Sequence, residues 1–303
     1  MIDSTIDLGA LRSLIAVHDH GSVVAAAAEL GFTPSAVSQQ IKRLGRQSRS
    51  PVLERVENLP AAPGPLTGSF RLASFSSACR GLVAPLLARL QVSAPELEVT
   101  LLENDPRESV VIVVIVVIVE RGGADLALVH DWNTLPLNIP PSLPLVPLFA
   151  DQADVLLPAD HPLAGRDELE TTDLTGERWV STHPGSICHE WLVQMFAAHG
   201  TRPDIRFHDA DYSTHAALVS HGVAVALMPR LGRVLLPPDV RLVPVVNPTP
   251  RRQVGSLWRR ASTENQARQH VQTKLEKLVA DTATRRATRP PECHESRPAA
   301  ASA

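Results

Sequence analysis

Between Leu8 and His20, apolar side chains fall at Leu8, Leu11, Leu14 and Ile15, a helical spacing that gathers them on one face and stops before Gly21. A second helix is predicted over Val23 to Leu30, with Ser22 as N-cap and an alanine run that lets its backbone approach a neighbour closely. Gly31 suits a helix C-cap, Thr33 caps again, and Pro34 stands at a first helical position, where its missing N–H costs nothing. The third helix then runs from Pro34 to about Leu44. Its Val37, Ile41 and Leu44 recur at i, i+4 and i+7 and face inward, leaving Ser35, Ser38, Gln39, Lys42 and Arg43 outward.

Pro60 to Gly68 is rich in Pro, Ala and Gly and reads as a linker. Beyond it the pattern alternates: strand Ser69 to Phe75, helix Ala78 to Leu90, and strands Glu98 to Glu103 and Asp125 to Val129. After Val146 to Leu157 come strand Arg178 to Ser181, helix Cys188 to His199, strand Asp204 to Phe207, helix Tyr212 to Ser220 and strand Val223 to Leu227. This repetition predicts two α/β lobes with mostly parallel sheets. Strand Val254 to Arg259 and helix Glu264 to Val279 return to complete the first lobe. Ala283 to Ala303 is small, polar and Pro-containing, and is expected to be a disordered tail.

Composition adds limits. At 303 residues, 44% hydrophobic, 20% charged and a net charge of −3, the chain has the balance of a soluble globular protein of two or three domains. Bulk charge predicts neither a nucleic-acid nor a membrane partner, so any DNA contact rests on where the cations stand. Cys79, Cys188 and Cys293 are far apart and form no Cys-x-x-Cys pairing, which points to a reducing cytoplasm with neither a disulfide framework nor a zinc site. No stretch reads as a signal peptide or membrane span, and no metal or cofactor motif appears. A cytoplasmic protein is expected.

On the third helix, small polar side chains lead and cations follow. A recognition helix needs this order, because its N-terminal end meets base edges while later residues meet phosphates. Gln39 carries both an amide donor and an acceptor for a base edge in the major groove, and Lys42, Arg43 and Arg46 can neutralise phosphates. One such helix alone is as readily a solvated polar face. Three short helices in this order favour a helix-turn-helix that reads duplex DNA.

Leu11, Leu14, Gly21-Ser22, Ala26-Ala27, Leu30, Ser35, Val37-Ser38, Gln40-Ile41, Leu44 and Pro51-Val52-Leu53-Glu54-Arg55 resemble the signature of LysR-type transcriptional regulators. Gly123 to Val129 and Gly222 to Pro229 resemble strand entries of that family's effector domain. The resemblance covers Leu8 to Val279 and implies an α+β multidomain fold: a winged helix-turn-helix followed by a two-lobed α/β effector domain like the periplasmic binding proteins. The expected limits are 1–59 for the DNA-binding domain, 60–68 for the linker and 69–282 for the effector domain, with lobe I at 69–145 and 250–282 and lobe II at 146–249. By position the resemblance implies DNA contacts at Pro34, Ser35, Ser38 and Gln39, to which Thr33, Lys42 and Arg43 are added. It implies an effector cleft at Ser76 and Ser77 of one lobe and Thr182 and His183 of the other. Hydroxyls and N–H groups there suit a carboxylate, or serve only to cap loops. No cofactor is implied.

Three features depart from the family pattern. Val56 to Pro65 leaves most of the family's linker helix without a counterpart, which sets a monomer against the homo-oligomer the family implies. Gly45 and Arg49 stand where the family has Glu and Gly. Val110 to Val119 is a tandem of Val-Val-Ile where the family has an amphipathic helix; it is expected to perturb the first lobe, or to be harmless as a buried strand. Two rival functions follow. An enzyme is disfavoured, because His130, His183, Ser186, Cys188 and His189 lie in no nucleophile, zinc or phosphate motif. A cytoplasmic small-molecule-binding protein, or a decayed regulator that no longer binds DNA specifically, is the other.

Overall fold

The computed structural model describes residues 8–20, 23–48, 65–103, 111–133, 135–263 and 265–288. The expected wing, residues 56–64 of the linker region, Ser22, Arg49, Cys293 and the tail beyond 288 lie outside them, while Gly68, the last residue of the expected linker, already belongs to the first strand. Helices α1 (Leu8–His20), α2 (Val23–Leu30) and α3 (Pro34–Ser48) form the N-terminal unit around Ala16, Val17, Ala26, Ala27, Val37 and Ile41. Gly31 takes a φ of 67°, and Phe32 N–H donates back to Ala27 C=O at 2.9 Å, the glycine-dependent ending that turns the chain from α2 into α3. Thr33 Oγ1 then accepts from Ala36 N–H at 3.2 Å and caps α3. Helix α3 runs on through Gly45 to Ser48, beyond the expected end near Leu44.

The face predicted for α1 turns inward only in part: Leu14 packs against this core. Leu11 and Ile15 are exposed, while Ala10, Ser13, Ala16 and Val17 are buried. The alanines of α2 bring its backbone close to α1, and small side chains fill that narrow contact where leucine and isoleucine would be too large. Buried Ser13 donates to Gln40 Oε1 at 2.5 Å and ties α1 to α3.

The larger unit follows, beginning with β1 (Gly68–Ser74), α4 (Ser76–Ala78), a π-helical turn Cys79–Val83, α5 (Ala84–Ser93), β2 (Leu97–Glu103), α6 (Val111–Glu120) and β3 (Leu126–His130). The long β4 (Leu145–Pro158) leads into β5 (Leu169–Glu170), β6 (Arg178–Ser181), α7 (Ile187–Ala197), β7 (Asp204–His208), α8 (Tyr212–Ser220), β8 (Val225–Pro229) and β9 (Val240–Val246). Then β10 (Arg251–Leu257) and α9 (Gln266–Thr288) complete it. Strand order is β2-β1-β3-β10-β4-β8-β6-β7, with β9 beside β4 and β5. The pairs β1/β2, β1/β3, β6/β7 and β6/β8 are parallel, whereas β10 and β4 run antiparallel to their neighbours.

The lobes therefore meet inside β4. Its residues Leu145–Gln152 pair with β10, and Ala153–Pro158 pair with β8 and β9. The pairing partner thus changes between Gln152 and Ala153, because a strand can serve two sheets in succession without a break in its backbone pattern. Helix α9 continues to Thr288, so residues 283–288, expected as tail, are helical.

Residues Val111–Val119 of the Val-Val-Ile run lie in α6 rather than in a strand. Ile115, Val116 and Val119 are buried against Ala73, Ala127 and Leu257 of the sheet. β-Branched residues cost a few tenths of a kcal/mol each in a helix, whereas burying each of these side chains contributes about 1.5–3 kcal/mol. Gly122 (φ 77°) and Gly123, whose N–H donates to Ile118 C=O at 2.7 Å, stop the helix.

Candidate functional site

On α3, Val37, Ile41 and Leu44 are buried, and this anchoring sets which side chains face out. Pro34, Ser35, Gln39, Lys42 and Arg43 are exposed and Ser38 is half-buried on the same side. Thr33 is exposed too, although its hydroxyl oxygen already serves the cap. The result is a solvent-facing row of hydroxyls, one amide and then two cations, on a helix held rigidly by the two others.

In the larger unit, the predicted cleft residues divide. Thr182 lines a narrow cavity of about 20 Å³, room for one water, between β4, β6, α7 and α8. Trp132, Cys188, Trp191, Tyr212 and His215 line it as well. Ser76, Ser77 and His183 are not among the residues lining it. Ser76 Oγ accepts from Arg80 Nη1 at 2.7 Å, and buried Ser77 Oγ accepts from Arg252 Nη2 at 2.8 Å. Thr182 shares a 2.6 Å hydrogen bond with Ser186 Oγ, the N-cap of α7.

Arg252 was not singled out from sequence, yet it links the two sides. Its Nη2 lies 2.8 Å and its Nε 3.0 Å from Asp151 Oδ2, and both side chains are almost wholly buried. Asp151 Oδ1 in turn accepts from Leu231 N–H at 3.0 Å. The guanidinium lies 5.3 Å from the Phe75 ring centre and 5.7 Å from that of Trp132. Trp132 stacks on Trp191 at 5.0 Å, and Trp191 Nε1 donates to Asn133 Oδ1 at 2.9 Å. Alternation marks Arg252 only as an inward position on a strand; its partner stands 101 residues away.

Burial, reinforced by the positive charge of Arg252, pushes His130 well below its ordinary value of 6.5 and keeps it neutral. Burial likewise lowers His215, whose Nε2 lies 2.9 Å from Asp209 C=O. A carbonyl oxygen only accepts, so Nε2 carries the proton and Nδ1 is left as a bare acceptor. Burial pushes Tyr212 well above its ordinary value. Trp132 Nε1 and His215 Nδ1 are buried with no hydrogen-bond partner among the described residues. Both residues line the cavity, so one buried donor and one buried acceptor without a partner belong to its wall residues. Among the described residues no group of three or more His, Cys, Asp or Glu side chains could hold a metal ion, and no helix is long and apolar enough to cross a membrane.

A three-helix reading unit joined in one chain to a two-lobed α/β domain with a small cavity between sheet and helices defines a ligand-responsive regulator. Residues 8–61 match the model of the bacterial regulatory helix-turn-helix protein, lysR family, and residues 63–278 match the LysR substrate binding domain. The chain belongs to the LysR family of transcriptional regulators. It is 32% identical over 253 residues to the small neutral protease regulatory protein of Streptomyces coelicolor, covering 71% of this chain and 75% of that protein. It is 26% identical to the HTH-type transcriptional regulator ShiR of Corynebacterium glutamicum, over 83% of this chain and 92% of that one. In fold it is similar to the OxyR C206 mutant of Corynebacterium glutamicum, with a TM-score of 0.59 at 19% identity over 93% of this chain and 98% of that one. The C-terminal domain of a probable LysR family regulator from Rhodococcus sp. RHA1 gives 0.56 at 21% identity, over 71% of this chain and all of that one.

Proposed function

We propose that α3 enters the major groove of operator DNA, with Ser35, Ser38 and Gln39 toward base edges and Lys42 and Arg43 on phosphates, and that an effector in the cleft alters this binding. The exposed face of α3 carries the reading: a graded row of hydroxyl, amide and cation on an anchored helix. The effector lies at Thr182, Trp132 and His215. Ser76 and Ser77 act through Arg80 and Arg252 rather than by contact, and His183 flanks the cleft. A small carboxylate is the class we assign, supported by the unmet Trp132 N–H and the Thr182/Ser186 hydroxyl pair as donors and by the nearby Arg252 cation. The present cavity holds about one water, so entry requires the lobes to part about β4 and β10. We place the protein in the cytoplasm, acting as a regulator rather than an enzyme, as a homo-oligomer, because each chain carries one reading helix and half-sites are read in pairs.

The test is binding of the full chain to labelled DNA from upstream of its own gene, titrated with salt beside a scrambled duplex. Preferential, salt-sensitive binding that weakens about 5–150-fold in Gln39→Ala, the equivalent of about 1–3 kcal/mol for a lost bidentate base contact, is expected. Equal, weak binding to both duplexes overturns it.

A further inference from the structure

A second cavity, of about 340 Å³, lies where the helical segment after β1, strand β4, the turn after β8 and the end of α9 converge. Leu82, Phe149, Leu231 and Val279 supply most of its wall. Its volume is more than twice the roughly 150 Å³ of an engineered apolar cavity that stays dry and takes up benzene. Among the described residues Thr282 is the only polar side chain lining it, and its Oγ1 already donates to Leu278 C=O at 2.8 Å.

The wall is closely braced at one side. A Cβ at Gly232 would lie 1.9 Å from Ser77 C=O, and one at Gly81 would lie 2.6 Å from Leu231 Cδ1, so turn and helix already touch backbone to backbone. Arg80 Nε donates to Gly232 C=O at 2.8 Å, and Leu231 N–H is held by Asp151. Both clamps keep the cavity preformed.

We propose that this cavity is a second binding site, for a small uncharged molecule of one or two apolar rings. An anion would leave water there without meeting a free donor on the lining side chains, which disfavours the carboxylate class assigned to the cleft. The same clamps tie the two sites together. Gly81–Leu82 continues the segment that carries Ser77, and Leu231 shares Asp151 with Arg252, so an occupant that moves Leu231 acts on the Asp151–Arg252–Ser77 chain beside the cleft. Linkage makes any such coupling reciprocal.

The experiment titrates the full-length protein with N-phenyl-1-naphthylamine, an uncharged fluorescent probe, and competes it with naphthalene. Saturable binding of one probe per chain, displaced by naphthalene, is expected. Ala150→Trp and Thr282→Trp, at exposed positions on the rim, fill the mouth and should each weaken binding at least 10-fold with the melting midpoint unchanged. Gln39→Ala should bind the probe as the wild type does, which separates this site from the DNA reading. Absence of saturable binding, or wild-type affinity in both filling variants, overturns the proposal. Probe binding that falls as protein concentration rises also overturns it, since it assigns the cavity to a contact between two copies.

Discussion

Arg252 and Asp151 form an ion pair with essentially no solvent contact, and its worth differs from the cost of breaking it. Removing one partner strands a buried charge, so Asp151→Asn should destabilise the effector domain by about 3–5 kcal/mol in chemical denaturation; a loss under 1 kcal/mol would mean that water reaches the pair. The histidines set a pH dependence of definite sign. His130 and His215 are held neutral, with values lowered in the folded state, so the unfolded chain takes up protons first as pH falls. Their contribution is full above about 6.5 and is lost as pH falls through that value. Melting temperatures should decline from pH 7 to 5, with a shallower slope in His130→Asn. A carboxylate acts in a lower window. Burial alone would raise Asp154, but hydrogen bonds from Arg230 and Arg233 outweigh it and hold the group below its ordinary 3.8. Its contribution is present above about pH 4 and lost below, and Asp154→Asn should flatten the acid limb of the same melting series. Trp132→Phe keeps an aromatic ring against Trp191 and removes the buried N–H that lacks a partner, so on the proposed effector site it should weaken effector binding more than it lowers the melting temperature.

Among the elements, α3 and α6 show local pattern and tertiary contact in different proportions. The borders of α2 and α3 follow from Gly31, Thr33 and Pro34, because backbone conformation and capping are decided within a few residues. Thr33→Ala should cost the N-terminal unit about 1 kcal/mol. Helix α6 contradicts its own propensity. Its β-branched run reads equally as strand, and only the apolar sheet face at Ala73 and Ala127 decides for helix. Truncating its buried anchor, Ile115→Ala, should cost about 2–5 kcal/mol; a loss below 1 kcal/mol would show that the run does not depend on that face. The exposed Leu11 and Ile15 teach the same lesson in reverse: a helical stripe was visible, but which stripe turned inward depended on how closely α2 could approach.

At the scale of the molecule, regulation requires that a ligand held in the effector domain be felt by a DNA-reading helix in the same chain. DNA affinity should fall steeply with salt. Lys42→Ala should reduce the slope of log K against log salt by about 1 and weaken all duplexes alike, whereas Gln39→Ala should spare the slope and relax sequence preference. Shared loss of preference in both variants would place Lys42 on a base rather than a phosphate.

The three-helix reader, its outward row from Ser35 to Arg43, the alternation of strands and helices and the family itself were all written in near-neighbour spacing. Periodicity, caps and motifs depend on residues a few positions apart, and the sequence alone determined them. The tertiary structure decided that β4 changes pairing partners along its length, that the Val-Val-Ile run packs as a helix, that Trp132, Tyr212 and His215 gather around one cavity with Thr182, and that Arg252 pairs with Asp151. Those outcomes rest on pairings between segments far apart along the chain, whose geometry exists only once both sheets have closed through β4 and β10.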